Sequence, residues 1–416
     1  MLIGIDDTDS PAGMCTTYLA AIICREFETI EKPRLIRLNP NIPYRTRGNG
    51  AIALRIKDSR NAKERITELV KKHSHIKEQN TNPGLVFIED EENLDLTPLH
   101  DLYRKAVSKH VTIQEAERTA KIVQAELTKF KNGRGIIGAL AAIGADLSSD
   151  CTYELIAYRS PENYNTKRSI DVDSVFKMNE RMYPKVFDSI DPEKKTILIT
   201  PNGLDPVFCG IRGETEEYVK KAWTMIRPLE DIELTQVFQT NQATDAHTSY
   251  KPVVDVNPFD CVILEGAVDS NPETVPGGHV IFTLKDATGK IACAAYKPTG
   301  RFRSVVKMLI KGDVLRVYGG VSKYPKTLNL EKIRLISPAN DYLVKPPACC
   351  GRLMTSAGRN KGYKCRKCGS RKSYESAESK IKPRKIGEGF YEVPPRARRH
   401  LSKPLVRYST SLSTVF

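Results

Sequence analysis

Three carboxylates, Asp6, Asp7 and Asp9, stand in four positions directly after the apolar run 2–5. Carboxylates at the C-terminal end of a strand suit a divalent cation held on nucleotide phosphates. Such a cation would offset the repulsion among three like charges in one turn. Gly13 opens an expected helix to Glu28. Its N-terminal amides suit phosphate, and Thr16 and Thr17 fall in its first turn. Alone, the acidic turn fits a helix cap with solvated neighbours as well. The loop Arg45-Thr46-Arg47-Gly48-Asn49-Gly50 shifts the balance, because two arginines beside glycines make a polyphosphate clamp. Gly133-Arg134-Gly135 and Gly210-Ile211-Arg212-Gly213-Glu214, each expected at a helix start, repeat the Gly/Arg pattern. The chain carries no G-x-x-x-x-G-K-[ST] run and no kinase-type HRD or DFG element.

Ten cysteines are present. Cys15, Cys24, Cys151, Cys209, Cys261 and Cys293 are scattered, mostly in apolar contexts, and read as reduced thiols. Cys349, Cys350, Cys365 and Cys368 crowd together, and a disulfide framework mainly serves small secreted domains, so the cluster implies Zn²⁺. Cys365-x-x-Cys368-Gly369 is a zinc knuckle. Its partner is only Cys349-Cys350-Gly351, two spacers short of C-x-x-C, which makes Cys349 the weakest of the four expected ligands. A degenerate, metal-free ribbon is the competing reading. Net charge is +15, and after residue 340 the chain has 18 Lys and Arg against 5 Asp and Glu. A near-neutral body with a strongly basic end suits a polyanion, RNA in particular; the plainer alternative is a solubilising tail. Arg366 and Lys367 in the knuckle, and Arg396, Arg398, Arg399 and Lys403 in the tail, are the expected RNA contacts, with the tail read as an extended arm.

The elements that must position these groups read as a multidomain α/β and α+β chain. Strands at 2–5, 34–38, 51–56 and 85–89 alternate with helices at 61–72, 97–107 and 113–128, giving an α/β unit over 1–128. An apolar helix at 133–147 and strands at 152–160, 196–200, 207–213 and 234–240, with a helix from Glu214, suit a ferredoxin-like unit over 129–240. Within it, 160–193 reads as a loop or insertion. A linker spans 241–258. Five short alternating strands over 259–338, with a helix between the third and fourth, follow the plan of an OB-fold barrel, a module that binds single-stranded nucleic acids and oligosaccharides. The ribbon occupies 345–372 and the basic tail 373–416. No stretch approaches the roughly 18 apolar residues of a membrane span. The N-terminus does not read as a leader, so a soluble, cytoplasmic protein without a membrane partner is expected.

The stretches GIDDTDSPAGMCTTYLA, RLIRLNPNIPYRTRGNGA, TNPG (81–84), GRGIIGALAAIGA, YGGV, SAGRNKGYKCRKCG and GFYEVPPRARRHLSKPL together resemble the archaeal tRNA-isoleucine 2-agmatinylcytidine synthetase family, over almost the whole chain. The resemblance implies a kinase-type domain at the N-terminus, then a ferredoxin-like domain, an OB-fold and a zinc ribbon. It implies agmatine attached to C2 of the wobble cytidine of the minor isoleucine tRNA with a CAU anticodon, so that AUA is read and not AUG. ATP ends as AMP and phosphate, and no DNA partner is expected. The family's autophosphorylated threonine corresponds to Thr16. Asp6, Asp7 and Asp9 would then hold Mg²⁺ and ATP, with Arg45, Arg47, Gly48, Asn49 and Arg134 at its phosphates or the base. Agmatine is dicationic and calls for carboxylates, for which Glu214 and Asp245 are candidates, with His247 as a base or an ordinary linker histidine. The family usually shows C-P-x-C-G where this chain has CCG. The competing functions are a non-catalytic tRNA-binding factor and an Asp-cluster RNA phosphotransferase that does not use agmatine.

Overall fold

The computed structural model describes residues 1–10, 13–44, 48–57, 60–89 and 94–408. The first third folds as β1 (Leu2–Asp6), α1 (Thr16–Glu26), β2 (Arg34–Arg37), β3 (Gly50–Arg55), α2 (Ala62–His73), β4 (Gly84–Ile88), α3 (Thr97–Ser108), α4 (Ile113–Ile122), β5 (Glu126–Lys129) and α5 (Ile136–Ile143). Its strands pair antiparallel in the order β5-β4-β1-β3-β2. Successive side chains of a strand point to opposite faces, and both faces here are covered. Ile3, Ile5, Leu35 and Ile52 pack under α1 and α2. Ile36, Ala51, Ala53 and Val86 pack under α3, α4 and α5.

The second third adds β6 (Thr152–Arg159), α6 (Val172–Met182), β7 (Val186–Phe187), β8 (Ile190–Asp191), β9 (Thr196–Ile197), β10 (Val207–Gly213), α7 (Glu216–Trp223) and β11 (Ile232–Thr240). The order β11-β6-β10-β7 is that of a βαββαβ ferredoxin-like unit. The first unit's β4-β1-β3-β2 core, with α1 and α2, repeats the same arrangement. The two join edge to edge: β2 and β11 run parallel, with Arg34 opposite Gln239 and Leu35 opposite Thr240, making one nine-stranded sheet. Helices α6 and α7 pack on the face that carries Leu155, Ala157 and Val237. On the opposite face Ile156, Tyr158 and Phe238 join the core under α1, and the part left uncovered by helices, with Glu154 and Ile156 of β6 and Gly210 and Arg212 of β10, floors a cleft.

Several expected boundaries shift. The helix read from Gly13 begins at Thr16, and the helix read over 133–147 is confined to Ile136–Ile143. The expected break after residue 128 falls inside β5, and α5 lies against β1 and β3 of the first unit. The helix read over 113–128 stops at Ile122, because Gln124 turns left-handed (φ 52°) and the next residues gain a ladder on β4. The stretch 160–193, read as loop or insertion, holds α6, β7 and β8.

The last third begins with β12 (Ser249–Tyr250), β13 (Cys261–Val268), β14 (Glu273–Val275), β15 (His279–Lys285), β16 (Lys290–Ala295), α8 (Arg301–Val306), β17 (Val314–Val321) and β18 (Thr327–Ser337). The five expected strands close in the cycle β13-β15-β16-β18-β17, with β16 and β18 parallel, and this is an OB-fold barrel. A two-stranded stalk, Asp341–Lys345 with Glu378–Lys382, leads to the cysteine-bearing ribbon and back. The tail is not an extended arm. Gly389–Glu392 adds a strand to β18, and the following residues fold back over the body.

Candidate active site

Strand β1 lies between β3 and β4, so its C-terminal end is held from both sides. Asp6 ends the strand, and its Oδ1 accepts from the Asp7 N–H at 2.7 Å. Asp7 turns back with φ 57°, a conformation that costs a non-glycine residue of order 1 kcal/mol or more unless its contacts hold it there. Its Oδ2 accepts from the Asn82 N–H (3.2 Å) and from Arg134 Nη2 (3.1 Å). Arg134 reaches this position because α5 presses directly on the strands. A Cβ at Gly138 would lie 1.9 Å from Asp6 Oδ2, and one at Gly135 would lie 2.3 Å from the Gly84 nitrogen. The glycine-punctuated helix therefore brings Arg134 against the acidic turn.

These groups form the polar end of a cavity: Asp6, Asp7, Asp9 and Arg134 on one side, Leu38, Ile42, Val111 and Ile137 on the other. The Arg134 guanidinium lies 5.7 Å from the centre of the Tyr44 ring, which also lines the cavity. Burial and then the neighbouring Asp7 push Asp6 well above the usual carboxylate range. Burial raises Asp7 to about 6 although Arg134 opposes it. Three carboxyls thus face one arginine in a setting that disfavours their charged forms until a cation joins them, and this donor set fits a divalent ion. The three carboxylates do not converge on one point, however. Among the described residues, the only group of three or more Cys, His, Asp and Glu whose ligand atoms gather within 4.8 Å is the cysteine cluster. An ion here would be shared with ligand phosphates, as is usual for Mg²⁺, which takes one or two protein carboxylates.

A second cavity of about 340 Å³ opens on the bare face of β6 and β10, and Asp9, Asn49 and Gly50 line both. Thr16 borders it at the first position of α1. The Thr16 Oγ1 accepts from Thr8 Oγ1 at 3.0 Å. At the floor, buried Glu154 takes Arg212 Nε on Oε1 (3.2 Å) and Arg37 Nη2 on Oε2 (3.5 Å). Burial works against its ionisation, but Arg212 and Arg37 hold Glu154 below the usual carboxylate range.

Gly48 and Asn49 border the cleft. Asn49 also anchors its own loop, donating from Nδ2 to the Asn39 carbonyl at 2.9 Å. Arg45 and Arg47 lie outside the described residues. The expected agmatine residues are not brought here. Glu214 pairs with Arg407 Nε at 2.7 Å. Asp245 accepts from the fully buried Lys332 Nζ at 2.6 Å and from the Tyr408 hydroxyl at 2.7 Å. His247 is fully buried, with Nε2 3.0 Å from Glu331 Oε2. These polar side chains sit at the seams between units, where a buried charge needs a partner.

The tail arginines behave likewise. Arg396 pairs with Asp191 (2.6 Å) and Glu193 (2.7 Å), Arg398 with Asp188 and with Glu392 (2.7 Å), Arg399 with Glu331 (3.4 Å) and Lys403 with Asp150 (2.8 Å). Much of the tail's charge is matched inside the protein. Arg366 and Lys367 are exposed on the ribbon. All four cysteines do converge. Cys350 takes φ 51° and Gly351 φ 72°, and this turn lets adjacent thiols face one point. Cys349 Sγ lies 3.9 Å from Cys350 Sγ and 3.5 Å from Cys368 Sγ. Four sulfurs at about 2.3 Å from a tetrahedral zinc lie about 3.8 Å apart, so the set fits Zn²⁺. The backbone N–H groups of Cys368 and Lys367 hold the Cys365 thiol down to about 6.

Comparison with known proteins agrees domain by domain. Family descriptions match residues 2–68 (TiaS TCKD domain), 133–247 (TiaS FLD domain), 262–336 (OB-fold nucleic acid binding domain) and 346–386 (TiaS C-terminal zinc ribbon domain). The isoleucine-tRNA 2-agmatinylcytidine synthetase TiaS of Pyrococcus horikoshii is 47% identical, over 97% of this chain and 96% of its own. The chain belongs to the tRNA-isoleucine 2-agmatinylcytidine synthetase family. A solved complex of TiaS with its isoleucine tRNA and ATP superposes with a TM-score of 0.91 at 41% identity, covering 100% of this chain and 99% of that one. A complex of TiaS with the same tRNA, AMPCPP and agmatine gives 0.87 at 38% identity, with the same coverage. For this synthetase family, sequence reasoning missed the continuous sheet and the bare face of β6 and β10. The only local signal for that face was the alternation of β6, which puts Glu154 opposite Leu155.

Proposed function

We propose that this chain uses ATP to join agmatine to C2 of the wobble cytidine in an isoleucine tRNA with a CAU anticodon. The observation that carries the proposal is the meeting of two cavities at Asp9, one acidic with an apolar wall and one on an open sheet face beside Thr16. The first suits part of a nucleotide: Leu38, Ile42, Val111 and Ile137 would face the base, and Asp6, Asp7 and Arg134 the phosphate end. Mg²⁺ bound through Asp6 and Asp7 would neutralise charge on the transferring phosphoryl group. The second suits a flipped-out base, since chemistry on a base requires it to leave the stack. The C2 oxygen is a poor leaving group, and phosphorylating it lets a primary amine displace phosphate.

Asp188 and Asp205 line the same cleft. Asp188 is paired with Arg398 and Asp205 with Arg168, but unlike Glu214 and Asp245 both line the cleft, so they are our candidates for the carboxylates nearest agmatine. Thr16 borders the cleft and accepts from the Thr8 hydroxyl, in keeping with phosphorylation of Thr16. The four ribbon cysteines hold Zn²⁺ as a structural ion, and exposed Arg366 and Lys367 meet tRNA phosphates. No helix among the described residues is long and apolar enough to cross a membrane; we assign the protein to the cytoplasm, where its tRNA is found. A protein that only bound tRNA would have no use for the acidic cavity.

Incubation with ATP, labelled agmatine and an isoleucine tRNA transcript bearing CAU tests this reading. Label in the tRNA with stoichiometric AMP release is the expected result. ATP turnover without label would overturn the reading in favour of an RNA phosphotransferase.

A further inference from the structure

The amine nucleophile makes a demand that the groups named so far do not meet. An alkylamine has a pKa of about 10, so it enters as an ammonium and must shed protons to form a C–N bond. Asp6 and Asp7 line the nucleotide cavity, and His247 is sealed against Glu331. Among the described residues, one histidine lines the cleft: His400, from the C-terminal tail. Its ring lies beside Gly48, next to Asn49 and Gly50, which line both cavities. A Cβ at Gly48 would stand 3.3 Å from His400 Nε2.

The chain around His400 is fastened on both sides. Before it, Arg396 and Arg398 are tied to Asp191, Glu193, Asp188 and Glu392. After it, Leu401 and Ser402 are buried, and the Lys403 N–H donates to Asp245 Oδ1 at 2.8 Å. The His400 carbonyl accepts from the Ala243 N–H at 2.7 Å, and the Leu401 carbonyl from the Asp245 N–H at 2.8 Å. Such fastening is what a group needs if it is to be held in one place and orientation. It also gives the tail's basic residues a purpose other than RNA contact. The charged and titratable groups that line this cleft with His400 are Asp9, Cys15, Arg37, Glu154, Asp188, Asp205 and Arg212.

We propose that His400 takes the proton from the attacking amine nitrogen of agmatine. The proposal rests on the agmatine-ligase reading above. The ammonium gives its first proton to water. As the C2–N bond forms, a second proton passes from nitrogen to the imidazole. The C2–O bond breaks, its electron pair leaves on phosphate, and the phosphate carries the proton away from His400.

The test is His400→Gln in the full-length chain, assayed with tRNA, ATP and agmatine. A positioned general base contributes roughly 10²–10⁴-fold. We expect agmatine transfer to fall by about 10²-fold or more, while tRNA affinity, thermal stability and tRNA-dependent ATP cleavage stay within about threefold. The deficit should shrink at high pH, because hydroxide can then accept the second proton in place of the imidazole. His400→Asn serves as a second variant of different length. Transfer within about threefold of wild type in both variants would overturn the proposal. So would equal loss of ATP cleavage and transfer with binding intact, since His400 would then act before the amine. A wild-type chain that cleaves ATP on the tRNA but takes no amine would overturn the ligase reading, and His400's role with it.

Discussion

Replacing Asp7 by Asn should stabilise the metal-free, nucleotide-free protein while abolishing ATP turnover. Burial raises the Asp7 carboxyl to about 6 from its usual 3.8. A group whose folded pKa is raised contributes stability that is fully present below the unfolded value and is lost as pH rises through the folded one. The Asp7 contribution to wild-type stability should therefore be lost between pH of about 4 and 6 and change no further above that range. Two pKa units correspond to about 3 kcal/mol. Arg134 Nη2 loses a carboxylate partner in the variant but keeps the Asn80 carbonyl at 3.2 Å. The Asn82 N–H can still donate to the amide oxygen. A net gain of about 1–2 kcal/mol at pH of about 8 remains after that offset, and none at pH of about 4. Urea unfolding followed by far-UV circular dichroism, with chelator and without nucleotide, measures it. A variant less stable than wild type at the higher pH, or a gain of equal size at both, would refute the reasoning. Such a site trades stability for charge that only a bound cation and nucleotide can balance.

His247→Leu should lower stability by about 2–4 kcal/mol, because Glu331 is left buried without its closest partner, yet agmatine transfer per folded molecule should be unchanged. A hundredfold loss of transfer would return His247 to the chemistry. The salt dependence of tRNA binding separates surface charge from internal charge: Arg366→Ala or Lys367→Ala should reduce the slope by about 1 each, whereas Arg396→Ala should leave it unchanged and loosen the tail by hydrogen exchange. Chelation should release one zinc ion per chain, and Cys350→Ser should abolish zinc retention. Full retention by that variant would mean the adjacent-cysteine geometry is not used.

Much of this protein is written in short-range pattern. The alternation of β1, β3 and β4, the amphipathic helices α2 and α3, the five barrel strands and the cysteine knuckle all follow from neighbours within about ten residues, which is the range over which periodicity speaks. The acidic turn and the Gly-Arg-Gly helix start were also legible, but the Asp7–Arg134 pair was not, because the helix reads locally as part of the second unit while it packs on β1 and β3 of the first. The helix read through 113–128 failed at Gln124, where pairing with β4 outweighs a continued helical pattern. The extended tail failed for a different reason. Lysine and arginine look alike in a sequence whether water, RNA or a buried carboxylate receives them.

The sequence by itself determined which residue types were available: an Asp turn after a strand, a threonine at the next helix start, four cysteines and a basic end. Only the tertiary structure decided which of them meet. Two units of the same topology share one sheet through β2 and β11, and that junction leaves a bare face beside Asp9. Asp188, Asp191 and Glu193 lie about two hundred residues before the arginines they bind. Their pairing turns an apparent RNA-binding arm into a strap that carries His400 to the cleft. Charge pairing across such a separation depends on burial and geometry, and neither is encoded in local spacing.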